Sequence, residues 1–156
     1  MRKLWLYTLV VVMLGVAVGC DSGGDDEPSG PTDAEIFIGN WRLGTLLLNG
    51  QDFSALLLAN ATVDIDFEAS TFSINIMSDS MTTIAGAYTV NDVQKVVTLT
   101  SSSFDNPVPL GYTINSENQI SLTTDDVALF IGLTGFDPAE QGLVIQTIGL
   151  VVQRSG

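Results

Sequence analysis

The chain contains no histidine and a single cysteine, Cys20, among its 156 residues. A lone thiol cannot form an internal disulfide, and zinc sites need Cys and His ligands in sets. The sequence also offers no histidine base or thiol nucleophile for catalysis, and the Gly-x-Ser-x-Gly pattern of serine hydrolases is absent. We therefore expect a domain that its apolar core holds together, with no catalytic residues, no cofactor and no metal.

Basic residues are also scarce. The chain has 5 Lys and Arg against 18 Asp and Glu, which gives a formal net charge of −13. Two of the basic residues, Arg2 and Lys3, stand at the N-terminus, and the others are Arg42, Lys95 and Arg154. A surface this acidic repels phosphate backbones, so the composition excludes nucleic acid as a partner.

The first 19 residues have the parts of an export signal. A positive start is followed by the apolar run Leu4–Val18, which is shorter than the ~20 residues that a membrane-spanning helix needs. Residues 16–20, Val-Ala-Val-Gly-Cys, resemble a lipobox, the site at which bacteria acylate a cysteine and cleave just before it. We therefore predict that 1–19 is a signal peptide and that Cys20 carries fatty chains such as palmitate. An ordinary transmembrane anchor is the alternative.

The segment after Cys20 supports the lipoprotein interpretation. Residues 21–32 contain no apolar side chain except proline, so they have nothing to bury and are expected to form a flexible tether. We assign 20–35 to the lipidated cysteine and an acidic tether, and 36–156 to the folded domain. The expected location is the cell envelope, with the lipid holding the protein at the outer membrane or the periplasmic face. The leaflet stays open.

From residue 36 onward the pattern is one of short strands separated by turn residues. Residues 63–68 alternate strictly between apolar and acidic side chains, which is typical of a half-buried strand. Short sequential connections favour antiparallel neighbours, and eight such strands close naturally into a small up-and-down barrel. A two-sheet sandwich is the alternative fold. The predicted strands are 41–48, 63–68, 72–76, 84–90, 95–101, 110–114, 119–123 and 143–153, the last of which is the longest.

Two segments interrupt the strands. Asp52–Asn60 is predicted to form one or two helical turns. Val127–Phe136 is too apolar for a solvated loop, so we expect it to pack as a plug or lid on the barrel, or to be a further strand. The side chains predicted to point inward are Val63, Ile65, Phe67, Phe72, Ile74, Ile76, Tyr88, Val90, Tyr112, Ile114, Ile120, Leu122, Ile148 and Leu150.

Three short motifs resemble those of the lipocalin-like lipoproteins of Bacteroidetes-type bacteria. They are the Gly-x-Trp that begins at Gly39, the Gly-x-Tyr of residues 86–88 and the threonine-rich strand of residues 96–100. An apolar terminal strand completes the resemblance, which covers about residues 36–154. It implies an eight-stranded antiparallel barrel of the lipocalin type. It also implies that Gly39 and Trp41 close one end, with Arg154 lying over the Trp41 ring.

The sequence leaves two functions open. In the first, a membrane-anchored barrel binds a small apolar ligand near its mouth. The residues that would contact such a ligand or form a lid are Phe130, Ile131, Leu133 and Phe136. In the second, the barrel has a solid core and holds no ligand. It then serves in the cell envelope as a structural protein or as a module that binds an envelope protein. An empty volume of a few hundred Å³ favours the first function, and a core without voids favours the second.

The acidic residues offer no convincing metal site. Asp64, Asp66 and Glu68 lie on one face of a predicted strand, whereas calcium needs six to eight oxygens around a loop. A solvated outer face explains their alternation. Asp125 and Asp126 sit in a predicted loop, but two carboxylates are too few to hold the ion.

Overall fold

The computed structural model describes residues 30–135, 137–142 and 144–156. The predicted signal peptide, Cys20 and most of the predicted tether therefore lie outside the described residues, as does Phe136. Residues Pro31–Gly156 form one compact unit.

Strands dominate the described residues. Their bounds are β1 (Gly39–Leu48), β2 (Gln51–Asp52), β3 (Thr62–Phe67), β4 (Thr71–Met77), β5 (Met81–Asn91), β6 (Val96–Thr100), β7 (Val108–Ser116), β8 (Gln119–Thr124) and β9 (Ile148–Arg154). The helices are α1 (Asp33–Phe37), α2 (Ser54–Leu58) and α3 (Val127–Thr134), with a 3-10 helix at Pro138–Gln141. α3 is the longest α-helix of the described part, and its eight residues are too few to reach across a bilayer.

The strands form a closed barrel. Each strand pairs antiparallel with its neighbour in the order β2-β1-β3-β4-β5-β6-β7-β8-β9, and β1 also pairs with β9. The short β2 only extends the β3 side of β1, through Leu47 and Leu48, so eight strands make the barrel wall. The predicted eight-stranded antiparallel up-and-down barrel is thus confirmed. The two-sheet sandwich is excluded, because the β1–β9 ladder leaves no gap between sheets.

The alternating sequence places the core as predicted. Along β3, Val63, Ile65 and Phe67 are buried, whereas the intervening aspartates are partly exposed. The other residues predicted to point inward are buried too, except Val90 and Ile114, which are partly buried against the same core. Period-two patterning therefore fixes which face of each strand forms the interior.

The last strand begins later than the sequence predicts, at Ile148, so the predicted strand 143–153 is too long at its start. β5, with 11 residues, is the longest strand instead. The Asn49 side chain accounts for the delay. Its Oδ1 accepts the backbone N–H groups of Gln146 (2.8 Å) and Thr147 (3.1 Å), and its Nδ2 donates to the Val144 carbonyl (2.9 Å). These bonds use backbone groups that a longer ladder would need.

The helices refine the prediction at three places. α1 begins at Asp33, inside the range 20–35 that the sequence assigned to the tether. Its start is fixed by a capping box, in which Glu35 accepts the Thr32 N–H at 2.7 Å and the Thr32 hydroxyl accepts the Glu35 N–H. α2 lies within the helical segment predicted at Asp52–Asn60. Most of Val127–Phe136 forms α3, so this segment is a helix and not a further strand.

The barrel has two different ends. α1 leads directly into β1, so it lies at the end where β1 begins, together with the β3–β4, β5–β6 and β7–β8 turns. We call this the closed end. α2, α3 and the 3-10 helix all belong to connections at the opposite end, which we call the mouth.

Candidate functional site

Trp41 is buried at the closed end. Its side chain is fully buried, and its indole Nε1 donates to the Phe37 carbonyl of α1 at 2.7 Å. The ring of Phe37 packs edge-on against Phe67 and Tyr112, with ring centroids 5.5 and 5.0 Å apart. α1 is therefore held over the barrel by an aromatic cluster and by a buried hydrogen bond.

Arg154 completes this closure. Its guanidinium carbon lies 4.7 Å from the centroid of the Trp41 ring, within the range of a cation–π contact. Nη2 donates to the Ile36 carbonyl (2.8 Å), Nη1 to the Ile38 carbonyl (3.4 Å) and Nε to the Glu117 carbonyl (3.2 Å). Two of these carbonyls stand at the C-terminal end of α1, where helix carbonyls lack intrahelical partners. Arg154 thus ties the last strand to α1.

The contact between Arg154 and the start of β1 favours a glycine at position 39. Its φ is 134°, a conformation that side chains rarely adopt, and a Cβ built at this position would lie 3.1 Å from Arg154 Nη1. The structure therefore brings Gly39, Trp41 and Arg154 together at the closed end, where they pack against one another and against α1.

Beside them lies a polar cluster that the sequence did not predict. The Asp33 carboxylate accepts a hydrogen bond from the Tyr112 hydroxyl at 2.6 Å and forms an ion pair with Lys95. The hydrogen bonds from Lys95 and Tyr112 lower the pKa of Asp33. Burial, followed by the hydrogen bond to Asp33, raises the pKa of Tyr112. The Thr-x-x-Glu spacing at residues 32–35 could have revealed α1, but nothing in the sequence pairs Asp33 with Lys95.

At the mouth, α3 is a helix with both ends capped. The Asp126 carboxylate accepts the Ala128 N–H at 2.8 Å, and Gly135 ends the helix at φ 67° with its N–H donated to the Ile131 carbonyl. Leu129, on the inward face, is buried. These caps satisfy backbone groups at both ends of a short and mostly apolar helix.

α3 fills the barrel interior from the mouth. Leu129 and Leu133 line a cavity of about 10 Å³ together with strand residues, and every lining side chain is apolar. A volume of this size holds about one water molecule. The barrel residues around it are Leu43, Val63, Ile65, Phe67, Ile74, Leu99, Leu110, Leu122 and Leu150.

The residues predicted to form a ligand site or lid do not share one surface. Phe130 and Leu133 are buried, whereas Ile131 faces outward and is 37% exposed. A Cβ built on Gly132 would lie 3.1 Å from Ile84 Cδ1, which places α3 beside β5. The helical period thus places Ile131 on the face opposite to Phe130 and Leu133, and a role of these residues in ligand binding or as a lid stays a prediction. Phe136 lies outside the described residues.

The outer surface of the mouth combines apolar and acidic groups, and we call it the mouth surface. Its exposed large apolar side chains are Met77 (46%), Met81 (68%), Ile131 (37%) and Val144 (75%). Its carboxylates are Asp52, Asp79, Asp105, Asp125, Asp126, Asp137 and Glu140.

The basic residues of the described part all lie toward the closed end. Arg42 pairs with Asp64 at 2.8 Å on the barrel wall, and Lys95 and Arg154 make the contacts described above. No lysine or arginine of the described residues lies at the mouth. In the same residues, no three Asp, Glu, Cys or His side chains come together as a metal site requires.

Comparison with known proteins shows no family for this chain. No protein-family model matches this chain, and no curated protein matches it. Among solved structures, lobster apocrustacyanin A1 is similar with a TM-score of 0.43 and 13% sequence identity. The aligned region covers 77% of this chain and 61% of the lobster chain. The barrel described above stands on its own strand order and register.

Proposed function

We propose that the protein is a lipid-anchored lipoprotein of the cell envelope, with a lipocalin-like barrel that is a solid-core module acting through its surface. The cavity volume carries this proposal. The apolar cavity between α3 and the barrel wall measures about 10 Å³, whereas pockets for small ligands typically measure ~300–1,000 Å³.

Room for a ligand would require α3 to leave the barrel. Leu129, Phe130 and Leu133 are each at most 3% exposed. Exposing side chains of this kind costs ~1.5–3 kcal/mol each, so opening the mouth costs roughly 5–9 kcal/mol. Even ~5 kcal/mol would weaken the apparent affinity of an apolar ligand by roughly 10³–10⁴. A filled barrel is therefore the state that dominates.

One observation favours ligand binding as a second candidate. The side chains around the cavity are apolar on the barrel wall and on α3 alike. An apolar molecule that displaced α3 would therefore meet a continuous hydrophobic wall. Such a wall is what the resemblance of the sequence to lipocalin-like proteins implies for a ligand site. This candidate needs a ligand whose binding energy exceeds the cost of moving the helix.

Benzene separates the two candidates, because it enters dry apolar cavities and stabilises proteins that contain them. We expect benzene to leave the melting temperature of the wild-type full chain unchanged and to raise that of the Leu129→Ala/Leu133→Ala variant, which has an engineered cavity. Ile131→Ala, an outward-facing change on the same helix, is the matched control and should behave like wild type. Native mass spectrometry of the protein extracted from its envelope provides a second measurement. A bound apolar molecule, or a benzene shift in the wild type, would establish ligand binding and refute the solid core.

The anchor has its own experiment. Metabolic labelling with a radioactive fatty acid should label the wild-type protein, and the Cys20→Ser variant should lose both the label and its place in the lipid fraction. Label on the variant would refute the anchor. The support for this part of the proposal is the signal and lipobox pattern of residues 1–20. Protease accessibility in intact cells would then identify the leaflet.

A further inference from the structure

We propose that the mouth surface docks a basic, partly apolar segment of another protein. This inference rests on the proposed function, since a solid barrel must act through its surface, and it adds the position of that surface and the chemistry of the partner.

Part of the outward face of α3 is exposed to solvent. Helices at protein surfaces normally place polar side chains on the solvent side. α3 instead carries Ala128 and Ile131 on its exposed side, with Val127 partly exposed beside them. Burial in the barrel explains the inward residues of this helix, but it does not explain why the outward ones are apolar.

Further apolar side chains are exposed at the mouth. Met77 and Met81 pair across the base of the β4–β5 hairpin, and the alternation of β4 and β5 turns their side chains to the outer face of the barrel wall, opposite to the buried Ile76 and Ile84. Methionine is flexible and polarisable, so it adapts to the shape of a partner. An apolar centre inside a polar rim is the usual anatomy of a protein interface.

Charge decides what kind of partner fits. Within the described residues, the charged side chains of the mouth surface are all carboxylates, of which Asp52, Asp79, Asp105, Asp125 and Glu140 are exposed. A second copy of this mouth would bring two acidic rims together, and anionic lipid headgroups would be repelled in the same way. A basic polypeptide is attracted by the rim, and its apolar side chains can cover the exposed face of α3.

The experiment measures binding of a labelled amphipathic Lys/Leu peptide to the full chain in neutral detergent, by fluorescence anisotropy. Two double variants provide a matched comparison. Asp79→Lys/Met81→Ser changes a charge and an apolar residue in the β4–β5 hairpin of the mouth. Asp92→Lys/Val93→Ser makes the same two changes in the β5–β6 turn of the closed end, where Val93 is 95% exposed. All variants are measured in the same micelles. Binding of the peptide to detergent therefore contributes equally to every measurement and does not affect the comparison between variants.

We expect saturable binding that the mouth variant weakens at least tenfold and the closed-end variant less than twofold. A Lys/Ser peptide should bind at least tenfold more weakly, and a Glu/Leu peptide should not bind. The inference is wrong if binding is not saturable, if both variants weaken it equally, or if the Lys/Ser peptide binds as well as the Lys/Leu peptide. These failures leave the solid-core proposal intact, because the benzene experiment tests that proposal independently.

Discussion

The two ends of the barrel are closed by different physical means. At the closed end, polar atoms with fixed directions hold α1 in place, through the Trp41 indole, the Arg154 guanidinium and the Asp33 carboxylate. At the mouth, α3 is held chiefly by burial of apolar side chains, which has no preferred direction. The difference indicates a rigid end beside the point where the chain enters and an adaptable end away from it.

The largest effect should come from the closed end. Trp41→Ala removes a fully buried ring together with its hydrogen bond to Phe37 and its contact with Arg154. We expect a loss of ~3–5 kcal/mol in the free energy of unfolding, measured by urea denaturation. Val93→Ala, at a side chain that is 95% exposed, is the control and should change it by less than ~0.5 kcal/mol. An unchanged melting temperature for Trp41→Ala would mean that the closed end does not depend on this ring.

The mouth should respond less strongly and more locally. Leu133→Ala deletes one of the inward side chains of α3, which costs ~2–5 kcal/mol in typical cores, and we expect the lower half of this range because α3 can shift into the space. Hydrogen exchange provides the sharper measurement. Amides of α3 should exchange faster than those of β1 and β9, and Leu133→Ala should widen that difference. Protection of α3 equal to that of the strands would show that the mouth is as rigid as the closed end.

Gly39→Ala tests the fit between β1 and Arg154. The substitution strains a backbone at φ 134° and brings a methyl group to 3.1 Å from the guanidinium, so we expect a loss of ~1–3 kcal/mol. Gly44→Ala in the same strand is the control, because its added Cβ would meet its nearest atom at 3.6 Å, an ordinary contact. Equal stability of the two variants would show that Arg154 moves aside and that the strain at Gly39 is negligible.

The smallest effect concerns pH. The hydrogen bonds from Lys95 and Tyr112 lower the pKa of Asp33 in the folded state. The folded form therefore binds protons less readily than the unfolded chain, whose aspartates titrate near pH ~3.9. The stabilisation from Asp33 is present above that pH and is lost as the pH falls through the folded pKa. Asp33→Asn should consequently flatten the acid limb of a plot of unfolding free energy against pH. An acid limb identical to that of the wild type would mean that Asp33 does not contribute to it.

The sequence was informative wherever a local pattern determined structure. Alternation placed the interior residues of β3 and β4, because a period of two allows only one face of a strand to be buried. It failed at the start of β9, since a side chain distant in sequence, Asn49, satisfies the backbone of residues 144–147. Composition showed that Val127–Phe136 had to be buried, but not that it forms a helix, because its nearly continuous apolar residues show no helical period.

At the candidate sites, too, the sequence does not predict contacts between residues that are distant along the chain. Gly39, Trp41 and Arg154 were identified through a resemblance, and the structure supplies the geometry that joins them. The Asp33, Lys95 and Tyr112 cluster joins three distant parts of the chain, and no local pattern marks such a set. The charge difference between the two ends likewise appears only when the strands are arranged, because acidic residues are spread over the whole sequence.

The pairing of β1 with β9 has a consequence for how the chain folds. The ladder joins Trp41 to Arg154, so the first strand of the barrel finds its second neighbour only when the last residues of the domain are available. Until then β1 and β8 expose their unpaired edges, which can associate with other chains. Pairings between residues this far apart also slow folding. A chain synthesised from its N-terminus therefore closes its barrel only after β9 is available, and both the burial of Trp41 beneath Arg154 and the protection of the strand edges depend on that closure.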